Sequence, residues 1–338
     1  MTFGEVPVEE AVGALAAHSV KAGEAVLRKG QVVTPDAAGR LRAAGIRRLV
    51  VARLGPDDMG EDEAAGRLAQ ALAGSGVRVE KPFTGRSNLF AASAGILVIE
   101  AGRIDAINAI DEAITVATLP AFKPVVEGEM IGTVKIIPYG VGRPLVEAAL
   151  AACGPSMSVA PYRIREVGIV STLTPGFKPS LVVKTANVFA QRLAPMGARI
   201  AAQAECPHET RALAAAIRAQ IDEVDLLVVF GASAIADRRD VIPAAIGEAG
   251  GRVEHFGMPV DPGNLLLVGA LGGKPVLGAP GCARSPKENG FDWVLGRLVA
   301  GLPVTGRDIT RLGVGGLLME IVSRPQPRAG GAPREDES

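Results

Sequence analysis

Between residues 166 and 300, short apolar runs alternate with segments of helical period, and this alternation constrains the fold more than any other feature. Residues 166–170, 198–202, 226–230, 252–256, 265–268 and 274–277 read as strands. Residues 179–193, 208–223, 241–249 and 289–300 read as helices. Near-continuous apolar strands need cover on both faces, and intervening helices supply it. The pattern therefore predicts a mostly parallel sheet with helices on both faces. Right-handed crossovers then place the strand C-ends along one edge.

Three loops rich in small residues leave strands on that edge, at residues 171–176, 231–240 and 279–287. In open α/β sheets ligands bind there, beside helix N-termini. The middle loop follows the run Leu226–Phe230, opens on Gly231, carries Ser233, and reaches Asp240 just before the helical pattern at Val241. Glycines let backbone N–H groups approach a phosphate. Ser171, Thr172, Thr174 and Ser233 add hydroxyl donors. Lys178, Arg284 and Lys287 add charge-assisted donors to the same set. Together these residues describe a pocket for a phosphorylated small molecule. No G-x-G-x-x-G or Walker sequence is present, which argues against a generic dinucleotide or NTPase site. Two roles stay open for Asp240: a cap on the helix it precedes, or a carboxylate working in the site.

Upstream of residue 155 the pattern changes to an α+β mixture of many short strands. Thr34-Pro35 reads as a helix start, with a strand at 48–52. A helix is expected at 64–72 and strands at 32–33, 77–79 and 95–100. Residues 84–88 read as a polar turn, and 104–110 as a β-rich apolar run. The expected division is an α+β domain at 1–155, an α/β domain at 162–304 and a disordered tail at 323–338. The turn-rich segment 153–161 marks the boundary.

With 36 basic and 36 acidic residues, the chain has no global nucleic-acid footprint, and one Trp with two Tyr makes a poor base-stacking surface. Cys153, Cys206 and Cys282 are too far apart for a zinc motif. No run approaches the ~20 apolar residues of a membrane helix. The opening M-T-F-G-E-V-P-V-E-E lacks the apolar core of a signal peptide. The expectation is a cytoplasmic protein that binds neither nucleic acid nor membrane.

Three stretches carry a family resemblance: V-G-I-V-S-T-L-T-P-G at 167–176, F-G-A-S-A-I-A-D-R-R-D-V-I-P-A-A-I at 230–246, and L-G-A-P-G-C-A-R-S-P-K at 277–287. In order and spacing they resemble the molybdopterin-binding family of molybdenum-cofactor biosynthesis, which includes molybdotransferases and adenylyltransferases. The resemblance covers about 165–300. It implies molybdopterin, or its adenylylated form, lying along the three loops, with Mg²⁺ and either ATP or molybdate as further reactants. Asp240 matches the loop aspartate of that family, implying a catalytic carboxylate and Mg²⁺ ligand. Ser233 matches its loop hydroxyl, and Pro280, Gly281 and Ser285 match its third loop. The implied activity is adenylyl transfer or molybdenum insertion. The alternative is a non-catalytic carrier that hands cofactor to a molybdoenzyme. Self-association into a homo-oligomer is also expected.

Overall fold

The computed structural model describes residues 1–318 and divides into two compact units, Met1–Tyr162 and the chain from Arg163 onwards. The tail expected at 323–338 lies outside the described residues.

The second unit realises the alternation read from the sequence. Its elements are β1 (Glu166–Leu173), α1 (Pro179–Leu193), β2 (Arg199–Pro207), α2 (Thr210–Ile221), β3 (Leu226–Phe230), α3 (Val241–Glu248), β4 (Arg252–Phe256), β5 (Leu267–Leu271), β6 (Lys274–Ala279), α4 (Gly290–Val299) and the short α5 (Gly306–Thr310). They form one six-stranded sheet in the order β2-β1-β3-β6-β5-β4. The first four strands in that order run parallel, β5 alone runs against them, and it pairs antiparallel with both β6 and β4. Gly272 and Gly273, both at positive φ, close the two-residue hairpin between β5 and β6. Such turns favour residues without a Cβ.

Apolar side chains on both faces make this sheet the middle layer of three. All five residues of β3 are buried. Val170, Leu227, Val229 and Val276 pack with Leu213, Ile217, Ile242 and Ile246 of α2 and α3. Alternation sends Phe230 to the opposite face. There it meets Phe189 of α1 edge-on at 5.6 Å, and Phe189 lies 6.1 Å from Phe291 of α4. Because β1, β3 and β6 are adjacent and parallel, their C-ends share one edge. The three loops are therefore neighbours in space.

The first unit is smaller-stranded and mostly antiparallel. The helix Glu61–Leu72 buries Leu68 and Leu72 against Leu89, Val134 and Ile136 of a four-stranded sheet. That sheet runs in the order Ile114–Thr118, Met130–Ile136, Arg86–Ala91, Val77–Val79. Thr34 caps the helix Pro35–Ala43, accepting a hydrogen bond from the Ala37 amide.

Several local expectations change. Residues 104–110 are not a strand, since Ala101–Asn108 is a helix. Ile104 and Ile107 are spaced by three and buried together, so helical spacing overrides β-branched content. The polar turn narrows to Thr84-Gly85, and Arg86 already begins a strand. Val32 makes only an isolated bridge to Leu15. The helix expected from 64 begins at Glu61. Met157–Pro161 is a strand paired with Gly95–Ile99 rather than linker. In the second unit β1 extends to Leu173, so Ser171 and Thr172 belong to the strand and not to the loop after it.

Candidate functional site at the strand C-ends

The loop after β3 is fixed at both ends. At its start the Ala232 amide donates to Thr172 Oγ1 at 2.8 Å, and the Gly231 carbonyl accepts from Arg284 Nη2 at 2.9 Å. A Cβ on Gly231 would sit 2.7 Å from the Ser233 carbonyl oxygen, so this position needs glycine for close backbone approach. At its end Asp240 is the N-cap of α3. One carboxylate oxygen accepts the Val241 amide at 2.7 Å and the other accepts the Ala236 amide at 3.0 Å. Between them Ser233 is exposed, and Asp237 pairs with Arg239 at 2.7 Å on the surface. The hydrogen bond from Arg239 holds the Asp237 carboxyl below the usual range.

The loop after β6 is held by one arginine of α1. Arg192 Nε pairs with Asp292 at 2.6 Å, and its terminal nitrogens donate to the carbonyls of Ala283, Ser285 and Lys287. Asn289 and Asp292 complete a capping box at the start of α4, and the Asn289 side chain also donates to the Lys287 carbonyl. The Ser285 hydroxyl accepts from the Lys287 amide. Pro280 is buried, whereas Gly281 and Lys287 are exposed.

Arg284 ties these loops to α1. It donates to Thr185 Oγ1 at 2.7 Å and to Gly231, and its guanidinium stands 5.4 Å from the Phe230 ring and 5.9 Å from that of Phe177. Burial pulls its pKa below the ordinary arginine value. Among the described residues it makes no salt bridge with a carboxylate. A half-buried guanidinium without a counter-charge is a natural partner for an anionic ligand.

Two open clefts flank the first turns of α1. One, of about 550 Å³, is lined by Thr174, Gly176, Phe177, Lys178, Ser180 and Lys184. The other, of about 510 Å³, is lined by Leu181, Lys184, Gly281, Cys282, Arg284 and Ser285. Lys184 borders both. Neither lining includes a carboxylate. A third cleft, of about 460 Å³, lies at the ends of β1 and β2 and includes Glu205, His208 and Glu209. The first two clefts suit an anion and the third does not. Burial pushes the Cys282 thiol up, which disfavours its thiolate.

The residues named from sequence thus fall into three sets. Thr174, Gly281 and Ser285 line the cationic clefts. Thr172, Gly231 and Asp240 shape the loop backbone, and Ser171 is buried with its hydroxyl unpartnered. Ser233 and Lys287 lie outside the cleft linings, and Pro280 is buried at the base of its loop. Sequence reasoning missed Lys184, Arg192 and His208. Lys184 sits in an ordinary helical pattern, and the partners of Arg192 and His208 lie 36 or more residues away.

Residues 181–303 match the family described as "Probable molybdopterin binding domain", and residues 5–53 match a domain of unknown function (DUF8806). No curated protein matches the chain. Similar solved structures include the molybdopterin biosynthesis moeA protein from Pyrococcus horikosii, at 15% identity over 91% of this chain and 76% of that one, with a TM-score of 0.31. A molybdenum cofactor biosynthesis protein from Pyrococcus furiosus is 12% identical over 90% of this chain and 66% of that one, with a TM-score of 0.27. The molybdopterin biosynthesis enzyme MoaB from Thermus thermophilus is 19% identical over 41% of this chain and 99% of that one, with a TM-score of 0.29.

Proposed function

We propose that the second unit, whose residues 181–303 match the family described as "Probable molybdopterin binding domain", binds molybdopterin, or its adenylylated form, in molybdenum-cofactor biosynthesis. The observation that carries this reading is the pair of cationic clefts around α1, bordered by Lys178, Lys184 and Arg284 and free of carboxylates. The ligand's phosphate belongs at these cations. Thr174, Ser180 and Ser285 add hydroxyl partners, and Phe177 and Leu181 offer apolar surface to the pterin.

Adenylyl transfer or molybdenum insertion at the same edge is the enzymatic form of the reading, with ATP or molybdate as co-substrate and Asp240 as its carboxylate. In that form Asp240 would hold Mg²⁺ only together with the ligand's own phosphates, since it is the single carboxylate of the loop end and each of its oxygens has one lone pair left. Both Asp240 oxygens already accept backbone amides. Among the described residues no group of three or more His, Cys, Asp or Glu is placed to hold a metal ion. The same engagement of Asp240 favours the second form, a carrier that delivers the cofactor to a molybdoenzyme without turning it over. Among the described residues no helix is long and apolar enough to cross a membrane.

Purified molybdopterin at about 100 times its Kd stabilises a protein that binds it by ~2.7 kcal/mol. The expected result is a saturable thermal shift that Lys184→Ala and Arg284→Met reduce. Absence of a shift in the unaltered chain removes both forms together. Release of AMP or pyrophosphate separates the enzyme from the carrier. If Asp240→Asn keeps affinity and turnover alike, Asp240 is a cap and nothing more.

A further inference from the structure

The backbone ladder of the sheet ends at the strand C-termini, but one chain of side-chain bonds continues across them. The last ladder bond between β1 and β2 runs from the His208 amide to the Leu173 carbonyl at 2.8 Å. Just beside it, His208 Nδ1 and Thr172 Oγ1 lie 2.8 Å apart. The same Thr172 oxygen accepts the Ala232 amide at 2.8 Å. Three strand ends, β2, β1 and β3, are thus linked through one hydroxyl.

That hydroxyl fixes who donates. Thr172 is fully buried, so its own proton needs a protein acceptor. The Ala232 N–H already points at its oxygen, and His208 Nδ1 is its other partner. Thr172 therefore donates to Nδ1, which leaves the imidazole with its proton on Nε2. With its proton so directed, the Thr172 oxygen presents a lone pair to Ala232. Without His208 the buried hydroxyl loses its acceptor and has reason to rotate, and the Ala232 amide loses a defined partner.

We infer that His208 is a positioning residue for the loop from Gly231 to Asp240: it orients the Thr172 hydroxyl, and that hydroxyl pins the start of the loop. The inference goes beyond the cationic clefts, because His208 lines neither of them. Its consequence for affinity rests on the reading of this edge as the ligand site. Its consequence for the loop does not.

The test is hydrogen exchange of the 231–240 amides in the full chain, followed by titration with molybdopterin. His208→Ala is expected to speed exchange at Ala232 and its neighbours roughly tenfold, the effect of losing one net hydrogen bond. His208→Asn, whose side-chain oxygen can accept in place of Nδ1, is expected to restore slow exchange. Thr172→Val is expected to reproduce the loss, and His208→Ala made on top of it to add nothing. Molybdopterin affinity is expected to fall with His208→Ala and recover with His208→Asn. Unchanged loop exchange in His208→Ala overturns the inference. So does an Asn variant that behaves like Ala, or a loss confined to global stability with the loop no faster than the sheet. If the exchange results hold but the unaltered chain binds no molybdopterin, the ligand reading falls and the positioning role stands.

Discussion

Replacing Arg192 with Met tests how the site is held together. The ion pair with Asp292 is 2.6 Å long, and the two side chains are only 8% and 21% exposed. Methionine keeps most of the apolar stem but takes the Arg192 donor from the Ala283 and Ser285 carbonyls and leaves the Asp292 carboxylate and the Lys287 carbonyl with Asn289 alone. Breaking a buried ion pair by removing one partner costs about 3–5 kcal/mol. Asp292 keeps the Asn289 amide and some water, so the expected cost is lower, about 2–4 kcal/mol. For a unit of this size that lowers Tm by roughly 5–15 °C. Asp292→Asn is expected to cost less, about 1–3 kcal/mol, because its single amide oxygen can replace the acceptor for Arg192 or for the Asn289 amide but not both. The chain has one tryptophan, Trp293, in α4 next to Asp292, so its fluorescence reports unfolding of this unit alone. Urea titrations followed at Trp293 give both costs. A loss below about 0.5 kcal/mol for Arg192→Met, within the range of ordinary surface substitutions, refutes the view of Arg192 as the clamp on this loop.

Three further outcomes are expected. Asp240→Ala removes the cap on α3 and costs ~0.5–2 kcal/mol, whereas Asp240→Asn, itself a good N-cap, changes stability little; urea midpoints distinguish them. Gly231→Ala forces a Cβ to 2.7 Å from the Ser233 carbonyl and 2.9 Å from Ile242, so a displaced loop and weaker molybdopterin binding are expected by titration calorimetry. Asp308 accepts hydrogen bonds from Thr305 that hold its carboxyl below the ordinary aspartate range. Its contribution to stability is therefore complete above that range and lost as pH falls through the lowered value. Asp308→Asn is expected to flatten that part of the acid-unfolding curve; a curve with the original slope contradicts it.

The second unit was legible because its central strands are buried on both faces. Leu226–Phe230, a continuous apolar run closed by Gly231, lies at the residues expected of it, and Arg252–Phe256, bracketed by Gly251 and Gly257, and the helix Pro179–Leu193 also fall at their expected bounds. The shared edge of the three loops followed from parallel order alone. The first unit was harder, since many of its strands are two or three residues long and too short for a period to show. Thr2–Pro7, carrying both glycine and proline, gave no strand signal. Within the site, polarity misled at Ser171 and Thr172. A serine and a threonine at a strand end look like loop hydroxyls, yet the strand continues beneath them and buries both. Of the two roles open for Asp240 in sequence, the cap is present, and it could be read because capping is local. Arg192, Arg284 and His208 act through partners tens of residues away, and no local pattern announces such pairs.

The position of the ligand itself tests the central claim most directly. A crystal structure of the full chain with molybdopterin is predicted to place the phosphate within hydrogen-bond reach of Lys184 and Arg284, between the N-terminal turns of α1 and the loop after β6. A pterin bound elsewhere on the chain, or a phosphate turned away from these cations, contradicts the account.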